Sequence, residues 1–287
     1  MKISDLFKER KRTYSFEFFP PRDEISAVDF GINVGILSKL SPSFVTVTYG
    51  AGGSNQERTF DLVNYLQNKM GLLTMAHYTC VNASRSKILD DLSWLKDHQI
   101  ENLMVLRGDP PKGETIFVAH PDGFAHASDL AAFAAANFDF CMGGTAYPEK
   151  HPEAGSYDED VLNLKKKVDA GCRFLMTQLF FDNEYYFDLV KRAKTAGIEC
   201  PIIPGIIPLT AYSQIERFTR MSQTHIPDIV LEKMEEYRDN PKKIYQLGMD
   251  FAIRQCRDLL MMGAPGLHFY TLNKSRATVE IFETLQR

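Results

Sequence analysis

The sequence predicts an α/β protein folded as a (β/α)8 barrel, or TIM barrel, and three observations support this prediction. Short apolar runs bounded by turn residues recur along the chain, amphipathic charged segments alternate with them, and four charged segments end in glycine just before an apolar run. An open, doubly wound sheet is the main alternative, because it shows the same alternation. Eight strands are predicted, at about 13–19, 43–49, 73–79, 101–107, 138–146, 173–180, 200–206 and 266–271.

The helices are predicted from their termini and from their apolar faces. Ser54 with Glu57 forms a capping box, and Asn240 followed by Pro241 suits the first positions of a helix. In the segment 160–170, three apolar residues share one face and leave the three lysines to the other sides. The four glycine-ended segments are NKMGLLTMAHYT, DAGCRFLMTQLFF, TAGIECPIIPGI and MMGAPGLHFYT.

The chain shows no linker, no low-complexity run and no shift in composition. We therefore predict one barrel domain over residues 1–287, with an extra helix near 227–237 before the last long helix.

Composition excludes several classes of partner. A net charge of −4 with a pI near 6.0 provides no basic surface for nucleic acid or for an anionic membrane. The five cysteines are odd in number and form no CxxC pair, which argues against a disulfide framework or a thiolate zinc site. The N-terminal residues contain no apolar leader, and no stretch reaches transmembrane length, so a cytoplasmic protein is expected.

Several common site motifs are absent from the sequence. There is no GxGxxG, no GxxxxGK[ST] and no GxSxG, so neither a Rossmann site, a P-loop nor the usual serine hydrolase is supported. The seven histidines form no HxH and no HExxH, so no metal site is predicted.

Polar or ionisable residues stand at the C-terminal ends of the predicted strands, where apolar residues could have continued. A barrel brings these ends together in one rim, which is where barrel enzymes carry their sites. Any one of them is more commonly a turn or hydrogen-bond partner, but the set predicts a site. The residues are Glu17, Thr48, His77, Arg107, Asp109, Tyr147, Gln178, Asn273 and Lys274.

Glu17 lies at the centre of SFEFFPPR, a strand-forming run that ends at two prolines. Strand alternation directs Phe16 and Phe18 outward to the helices and Glu17 into the barrel mouth. One interpretation is a salt bridge, to Arg22 or Arg107, since buried charges are rarely unpaired. The other is a desolvated carboxyl group that stays protonated near neutral pH and acts as a general acid.

Two loop motifs are compatible with ligand binding but are less specific than Glu17. LRGDPP (106–111) places a cation and a carboxylate around a glycine, which suits a polar ligand but is equally typical of an Asp-Pro turn. YGAGGS (49–54) allows a flat ligand or a phosphate to approach closely, although a flexible βα loop is the commoner explanation.

Nine motifs, taken in order, resemble the methylenetetrahydrofolate reductase family, and the resemblance covers residues 15 to about 274. The chain length resembles the short bacterial form, which has the catalytic barrel alone. The motifs are SFEFFPPR, FVTVTYGAGGS, AHYTC, LRGDPP, AYPEKHPEA, DVLNLKKKVDAG, TQLFFD, PGIIP and HFYTLN.

The resemblance implies a homo-oligomeric flavoprotein that binds FAD at the C-terminal rim and takes hydride from NADH or NADPH. It then reduces 5,10-methylenetetrahydrofolate to 5-methyltetrahydrofolate, the methyl source for methionine. Glu17 matches the family's general acid, and Asp109 matches a catalytic residue beside the flavin and the pterin. Phe218 matches an aromatic surface used by both substrates in turn, which implies ping-pong turnover.

The resemblance also implies a set of ligand contacts. Lys274 stands where the family often has arginine, and it keeps the charge without the planar fork. The implied FAD contacts are Tyr49, Ala51, His77, Arg107, Gly108, Asp109, Ala127, Tyr147, His151, Ala154, Asp160, Asn163 and Lys167. The implied substrate contacts are Thr48, Asp109, Gln178, Gln214, Phe218 and Lys274.

The residues alone leave two other functions open. A barrel lyase or aldolase would use Lys274 as a Schiff-base amine at the end of the last strand. A folate- or flavin-binding protein without turnover would bind ligand and consume no NADH.

Overall fold

A computed structural model describes residues 1–49, 56–110, 113–114, 116–221 and 224–286, with backbone alone at 216 and 219–221. Within these ranges eight parallel strands form a closed ring in chain order, because β1 pairs with β2 on one side and with β8 on the other. This closure confirms the barrel and excludes the open sheet. The strands are β1 Thr13–Phe18, β2 Phe44–Val47, β3 Thr74–Thr79, β4 Asn102–Leu106, β5 Cys141–Ala146, β6 Cys172–Leu179, β7 Ile202–Ile206 and β8 Gly266–Tyr270.

The helices of the described residues surround this ring. They are α1 Ile3–Glu9, α2 Glu24–Ser38, α3 Gln56–Asn68, α4 Arg85–Asp97, α5 Ala127–Asn137, α6 Tyr157–Asp169, α7 Asn183–Thr195, α8 Tyr212–Met221, α9 Asp228–Glu236, α10 Pro241–Met261 and α11 Arg276–Gln286. Helix α9 is the predicted extra helix, lying between α8 and the long α10. None of the described helices is long and apolar enough to cross a membrane.

The predicted helix ends are confirmed where the structure describes them. Gly71, Gly171, Gly197 and Gly263 all have positive φ, between 68° and 117°, which a helix-ending glycine adopts without steric cost. At the start of α10 the Asn240 side chain accepts a hydrogen bond from the Lys243 amide. The predicted capping box at Ser54 lies outside the described residues.

The interior of the barrel is closed at its N-terminal end by apolar side chains. Helix α1 inserts Ile3 and Leu6 beneath a layer that includes Phe44, Met75 and Phe174, and all five are 2% exposed or less. Burying each of these side chains contributes roughly 1.5–3 kcal/mol. The plugged end leaves the opposite, C-terminal rim as the open side of the barrel.

Strand β1 is oriented by its two outward aromatics. Phe16 contacts Phe282 of α11, and Phe18 meets Phe30 of α2 edge-on at 5.7 Å between ring centroids. Both phenylalanines lie in the main core between the strands and the helices. Because side chains alternate along a strand, this packing directs Glu17 into the barrel, as predicted.

Candidate active site

Glu17 lies in the barrel mouth between two histidines. Its Oε2 atom is 3.7 Å from Nε2 of His77 on β3 and 3.7 Å from Nε2 of His268 on β8. Glu17 is 6% exposed, and the two histidines are 8% and 0% exposed. Both separations exceed a hydrogen bond, and each Nε2 is buried without a hydrogen-bond partner in the described structure. A small movement or a bound polar group would complete these contacts.

Of the two interpretations of Glu17, the salt bridge to Arg22 or Arg107 is wrong, because the ionisable groups beside it are His77 and His268. Arg107 instead donates to both carboxylate oxygens of Glu153, at 2.5 and 2.8 Å. The backbone explains this difference, because Arg107 follows the end of β4 and its long side chain reaches outward across the rim to the β5–α6 loop. Glu17 stays within the strand, where its neighbours are inward-facing side chains of other strands.

Sequence reasoning missed His268 and its partner Ser15. The Ser15 hydroxyl lies 2.9 Å from His268 Nδ1, which orients the ring so that Nε2 faces Glu17. The two residues are register partners on β1 and β8, which meet only when the barrel closes. The sequence did carry a signal for His268. Side chains alternate along a strand, so His268 and Tyr270 share one face of the otherwise apolar β8, and that face points into the barrel.

Tyr270 forms the next inward position of β8. Its hydroxyl donates to the Thr177 carbonyl at 2.6 Å, and its ring lies edge-on to His268 with centroids 5.2 Å apart. Gly205 makes room for this ring, because a Cβ there would lie 2.6 Å from Tyr270 Cε2. Burial raises the pKa of the Tyr270 phenol well above its usual value, so the group stays protonated as a donor.

His77 is neutral at physiological pH. Burial lowers its pKa to about 4, and the attraction of Glu17 offsets only part of this effect. A neutral imidazole carries one donor and one acceptor nitrogen, so His77 can hydrogen-bond to a ligand without adding positive charge to the mouth.

The exit of β1 is held by the loop after β8. Asn273 accepts from the Phe19 amide and donates to the Phe19 carbonyl, both at 2.9 Å. The Thr271 hydroxyl donates to the Glu17 carbonyl at 2.6 Å. With two prolines following, these bonds fix the backbone that carries Glu17. Lys274 follows in this loop and its side chain is exposed.

Gly108 and Asp109 occupy the loop after β4. Gly108 has φ +88°, and a Cβ there would lie 2.5 Å from Val81 Cγ2, so this position requires glycine. Asp109 is exposed at the rim. Its negative charge adds to burial in raising the pKa of Tyr147 to about 12.

A second group of predicted residues lies along β5, the loop after it and helix α6. The Tyr147 ring meets His151 edge-on at 4.7 Å, and the His151 amide donates to Asp160 Oδ2 at 3.0 Å. Lys167 donates to the Thr145 carbonyl at 2.8 Å, and burial lowers its pKa, so it is not part of a solvated lysine face. Burial also lowers the pKa of His151.

Tyr147 and Gln178 line one small pocket, of about 150 Å³, with Glu149 and Lys150. Glu149 accepts from the His225 amide through Oε2, and burial raises its pKa. This pocket therefore brings a predicted cofactor residue and a predicted substrate residue to the same wall.

The remaining predicted residues are placed less informatively. Gln214 caps the start of α8, where its Oε1 accepts from Thr210 and Ala211. Phe218 is 7% exposed, and its ring lies 6.4 Å from that of Phe181. Ala51 lies outside the described residues. Thr48 and Tyr49 are half-buried, Ala127 and Ala154 are buried, and Asn163 accepts from Lys166.

The residues around Arg107 can hold an anionic ligand that also carries a flat ring. Arg107 and Lys167 supply cations, Tyr147 an apolar ring face, and the Gly108 backbone a surface without a side chain. The described residues contain no group of three histidine, cysteine or acidic side chains that could hold a metal ion.

The fold and the site define a class, that of (β/α)8 barrels with a buried carboxylate and a cationic, aromatic patch at the C-terminal rim. A family model described as methylenetetrahydrofolate reductase matches residues 2–286. The chain therefore belongs to the methylenetetrahydrofolate reductase family, as the motifs predicted.

Curated relatives agree with this family. The 5,10-methylenetetrahydrofolate reductase of Escherichia coli (strain K12) is 35% identical over 271 residues, which cover 94% of this chain and 90% of that protein. Methylenetetrahydrofolate reductase (NADH) 1 of Zea mays is 35% identical over 295 residues, covering 99% of this chain and 50% of that protein. The chain spans about half the length of the plant relatives it matches.

A solved structure supports the fold alone. It is an uncharacterized protein from Clostridium thermocellum whose description says that it binds two copies of 5-methyl-5,6,7,8-tetrahydrofolic acid. The two chains superpose with a TM-score of 0.69 over 99% of this chain and 98% of that one, at 17% sequence identity.

Proposed function

We propose that this protein reduces 5,10-methylenetetrahydrofolate to 5-methyltetrahydrofolate, with FAD as the hydride carrier and NADH as the reductant. Family membership and the names of the relatives support the reaction, and the plant names support NADH over NADPH. The product would supply methyl groups for methionine synthesis. We further propose that the protein is a homo-oligomer.

The observation that carries the proposal is the placement of Glu17. The reaction needs a proton donor at the folate nitrogen, because opening of the imidazolidine ring leaves that nitrogen with an extra electron pair. Glu17 is the acidic group of β1 that faces into the barrel mouth, and both histidines beside it are buried. The Ser15–His268 pair lies on one side of the carboxyl group, and neutral His77 lies on the other.

The residues around Arg107 fit FAD. The guanidinium and the Lys167 ammonium suit a pyrophosphate or ribose, and Tyr147 suits an isoalloxazine or adenine face. When bound, the flavin supplies hydride transfer. Gly108, with positive φ and no room for a Cβ beside Val81, gives the end of β4 a tight backbone turn next to these groups.

Other rim residues would position the folate. Asp109, exposed at the rim, would stabilise a cationic iminium form of the substrate by its charge. Gln178 lines the wall beside Tyr147, where its amide could bind the pterin or the nicotinamide. If Phe218 serves both substrates, they cannot bind together, and turnover is ping-pong.

Two half-reactions test the proposal separately. FAD is added to the purified protein, the flavin absorbance is followed anaerobically as NADH is added, and methylenetetrahydrofolate follows. We expect bleaching by NADH and return of the colour with the folate. The Glu17→Gln variant should bleach but fail to recolour, whereas Glu232→Gln, an exposed glutamate on α9, should behave as wild type.

Other outcomes would assign other functions. A protein that binds FAD or folate and consumes no NADH would be a binding protein. A Schiff-base lyase is not favoured, because the proposed amine of Lys274 is exposed, whereas such lysines are usually desolvated. Borohydride trapping of a carbonyl substrate on Lys274 would restore that alternative.

A further inference from the structure

Helix α2 is apolar on two opposite faces. Phe30, Val34 and Leu37 are 6% exposed or less and face the core. On the other side Ile25, Val28, Ile32 and Ile36 are 80%, 64%, 58% and 40% exposed. Helical periodicity places these four residues in one stripe, which we call the α2 stripe. A helix that is apolar all round is normally covered on all sides.

Two glycines border the α2 stripe on one edge. A Cβ added to Gly31 or Gly35 would meet no atom of the described residues within 4 Å, so neither glycine is needed for packing among them. Both have ordinary helical backbone, and a mid-helix glycine costs about 0.5–1 kcal/mol relative to alanine. Their use is explained if another surface approaches the helix backbone closely, as small residues allow.

The charges of α2 are arranged for an antiparallel copy of itself. Exposed Glu24 begins the helix and exposed Lys39 follows its end. Consider two copies of α2 that run antiparallel about a two-fold axis passing between Gly31 and Ile32. Glu24 of each copy then faces Lys39 of the other copy. In the same register Val28 faces a glycine, Gly35, and Ile32 faces Gly31. The helix dipoles also oppose one another, which favours this orientation.

The surface continues past the end of the helix. A groove lined by Lys39, Leu40, Phe282, Glu283 and Gln286 lies between the end of α2 and α11. In the antiparallel register the beginning of the second helix, with the highly exposed Ile25, reaches this groove. The groove and the α2 stripe therefore form one self-complementary surface.

We propose that the α2 stripe is a two-fold interface at which a second copy of this chain docks, α2 against antiparallel α2. This deepens the homo-oligomer part of the proposed function. The contact would also support the site, because Asn33 of α2 accepts hydrogen bonds from the amide and hydroxyl of Ser275, both at 2.8 Å. That residue follows Lys274 in the loop that holds the exit of β1.

Sedimentation velocity of the full chain over a range of concentrations tests the interface. We expect a dimer, or a larger assembly with an even number of copies, and a Val28→Glu/Ile32→Glu variant should weaken the α2 association by about a hundredfold or more, because unpaired charges would be buried. The matched control is Ile229→Glu, since Ile229 is a 60% exposed isoleucine on α9 and outside the stripe. It should assemble as wild type.

Three further variants keep the test independent of misfolding. Gly31→Ala should raise the thermal stability of the separated chain, because alanine favours the helix, and should weaken association. The single change Lys39→Glu should weaken association, and adding Glu24→Lys should restore it.

A wild-type monomer at all concentrations would overturn the proposal, and so would an assembly unaffected by the Val28/Ile32 variant. Both flavin half-reactions are measured on the same samples. An active monomer would therefore reject the interface and leave the proposed reaction standing, whereas an inactive dimer would do the reverse.

Discussion

Oε2 of Glu17 and Nε2 of His268 lie 3.7 Å apart in the barrel mouth, and neither atom of this pair is placed by a local turn or cap. Both belong to inward-facing strand positions, on β1 and β8, that face each other only because the barrel closes. The distance between Glu17 and His268 therefore depends on the residues that orient the His268 ring.

Removing the Ser15 hydroxyl should slow the folate half-reaction. We expect Ser15→Ala to lower its rate by about tenfold, since His268 would lose the 2.9 Å partner that orients it toward Glu17. Stopped-flow measurement of each half-reaction checks this, and NADH should still bleach the flavin at the wild-type rate. Equal slowing of both half-reactions would show that the serine supports the whole site instead.

His77 should make the folded protein sensitive to acid. Its pKa is about 4 in the folded protein and 6.5 in an unfolded chain, so the unfolded state binds the proton first as pH falls. The stabilisation from keeping His77 neutral is fully present above pH 6.5. As the pH falls from 6.5 to 4, the free energy of unfolding decreases by about 3 kcal/mol. Urea unfolding of the flavin-free protein measures this free energy across the same range. It should fall more steeply with decreasing pH in the wild type than in His77→Asn. Parallel curves would contradict this pKa.

Replacing Arg107 by lysine should weaken FAD binding. Lysine keeps the charge but loses the planar fork that now engages both oxygens of Glu153, so we expect affinity to fall by about tenfold. Flavin fluorescence titration measures this. The matched control is Arg192→Lys on α7, an arginine that also pairs with two carboxylates, Asp158 and Asp188, and lies outside the predicted site. A similar loss in both variants would argue against a role for Arg107 in binding.

Gly108→Ala should destabilise the fold more than Gly71→Ala, a substitution that introduces backbone strain but no steric clash. Both Gly108 and Gly71 have positive φ, but only Gly108 would bring a Cβ within 2.5 Å of Val81. We expect Gly71→Ala to reduce the free energy of unfolding by about 1 kcal/mol and Gly108→Ala by at least twice as much. Urea unfolding compares them, and the Gly108 variant should also bind FAD less tightly. Equal losses would mean that Val81 moves aside without cost.

The order of strands and helices was readable from the sequence because each element carries its own local signal. All eight strands were predicted to within a few residues, since buried parallel strands are short apolar runs that end at turn residues. The largest error was at β5, predicted from 138 and observed from Cys141, because Phe138 and Phe140 are apolar but follow α5 as an extended connection.

The candidate site was only partly readable. The inward direction of Glu17 follows from alternation along one strand, which is a local property. Its neighbours are not local. One of the two interpretations paired Glu17 with Arg22 or Arg107, but Arg107 pairs with a glutamate 46 positions away, because the course of two loops decides which charges meet.

The sequence by itself determined the order of strands and helices, the polar strand ends and the inward direction of Glu17, because strand period, helix caps and apolar runs act over a few residues. It left the closed barrel and the open sheet both possible, and the structure closed the ring. The tertiary structure alone decided that Ser15 and His268, 253 positions apart, form a hydrogen-bonded pair beside that carboxylate. It also decided that α2 keeps an apolar stripe exposed. Both depend on how the closed ring sets distant strands in register and on which helix face the core leaves uncovered, and no local pattern encodes either.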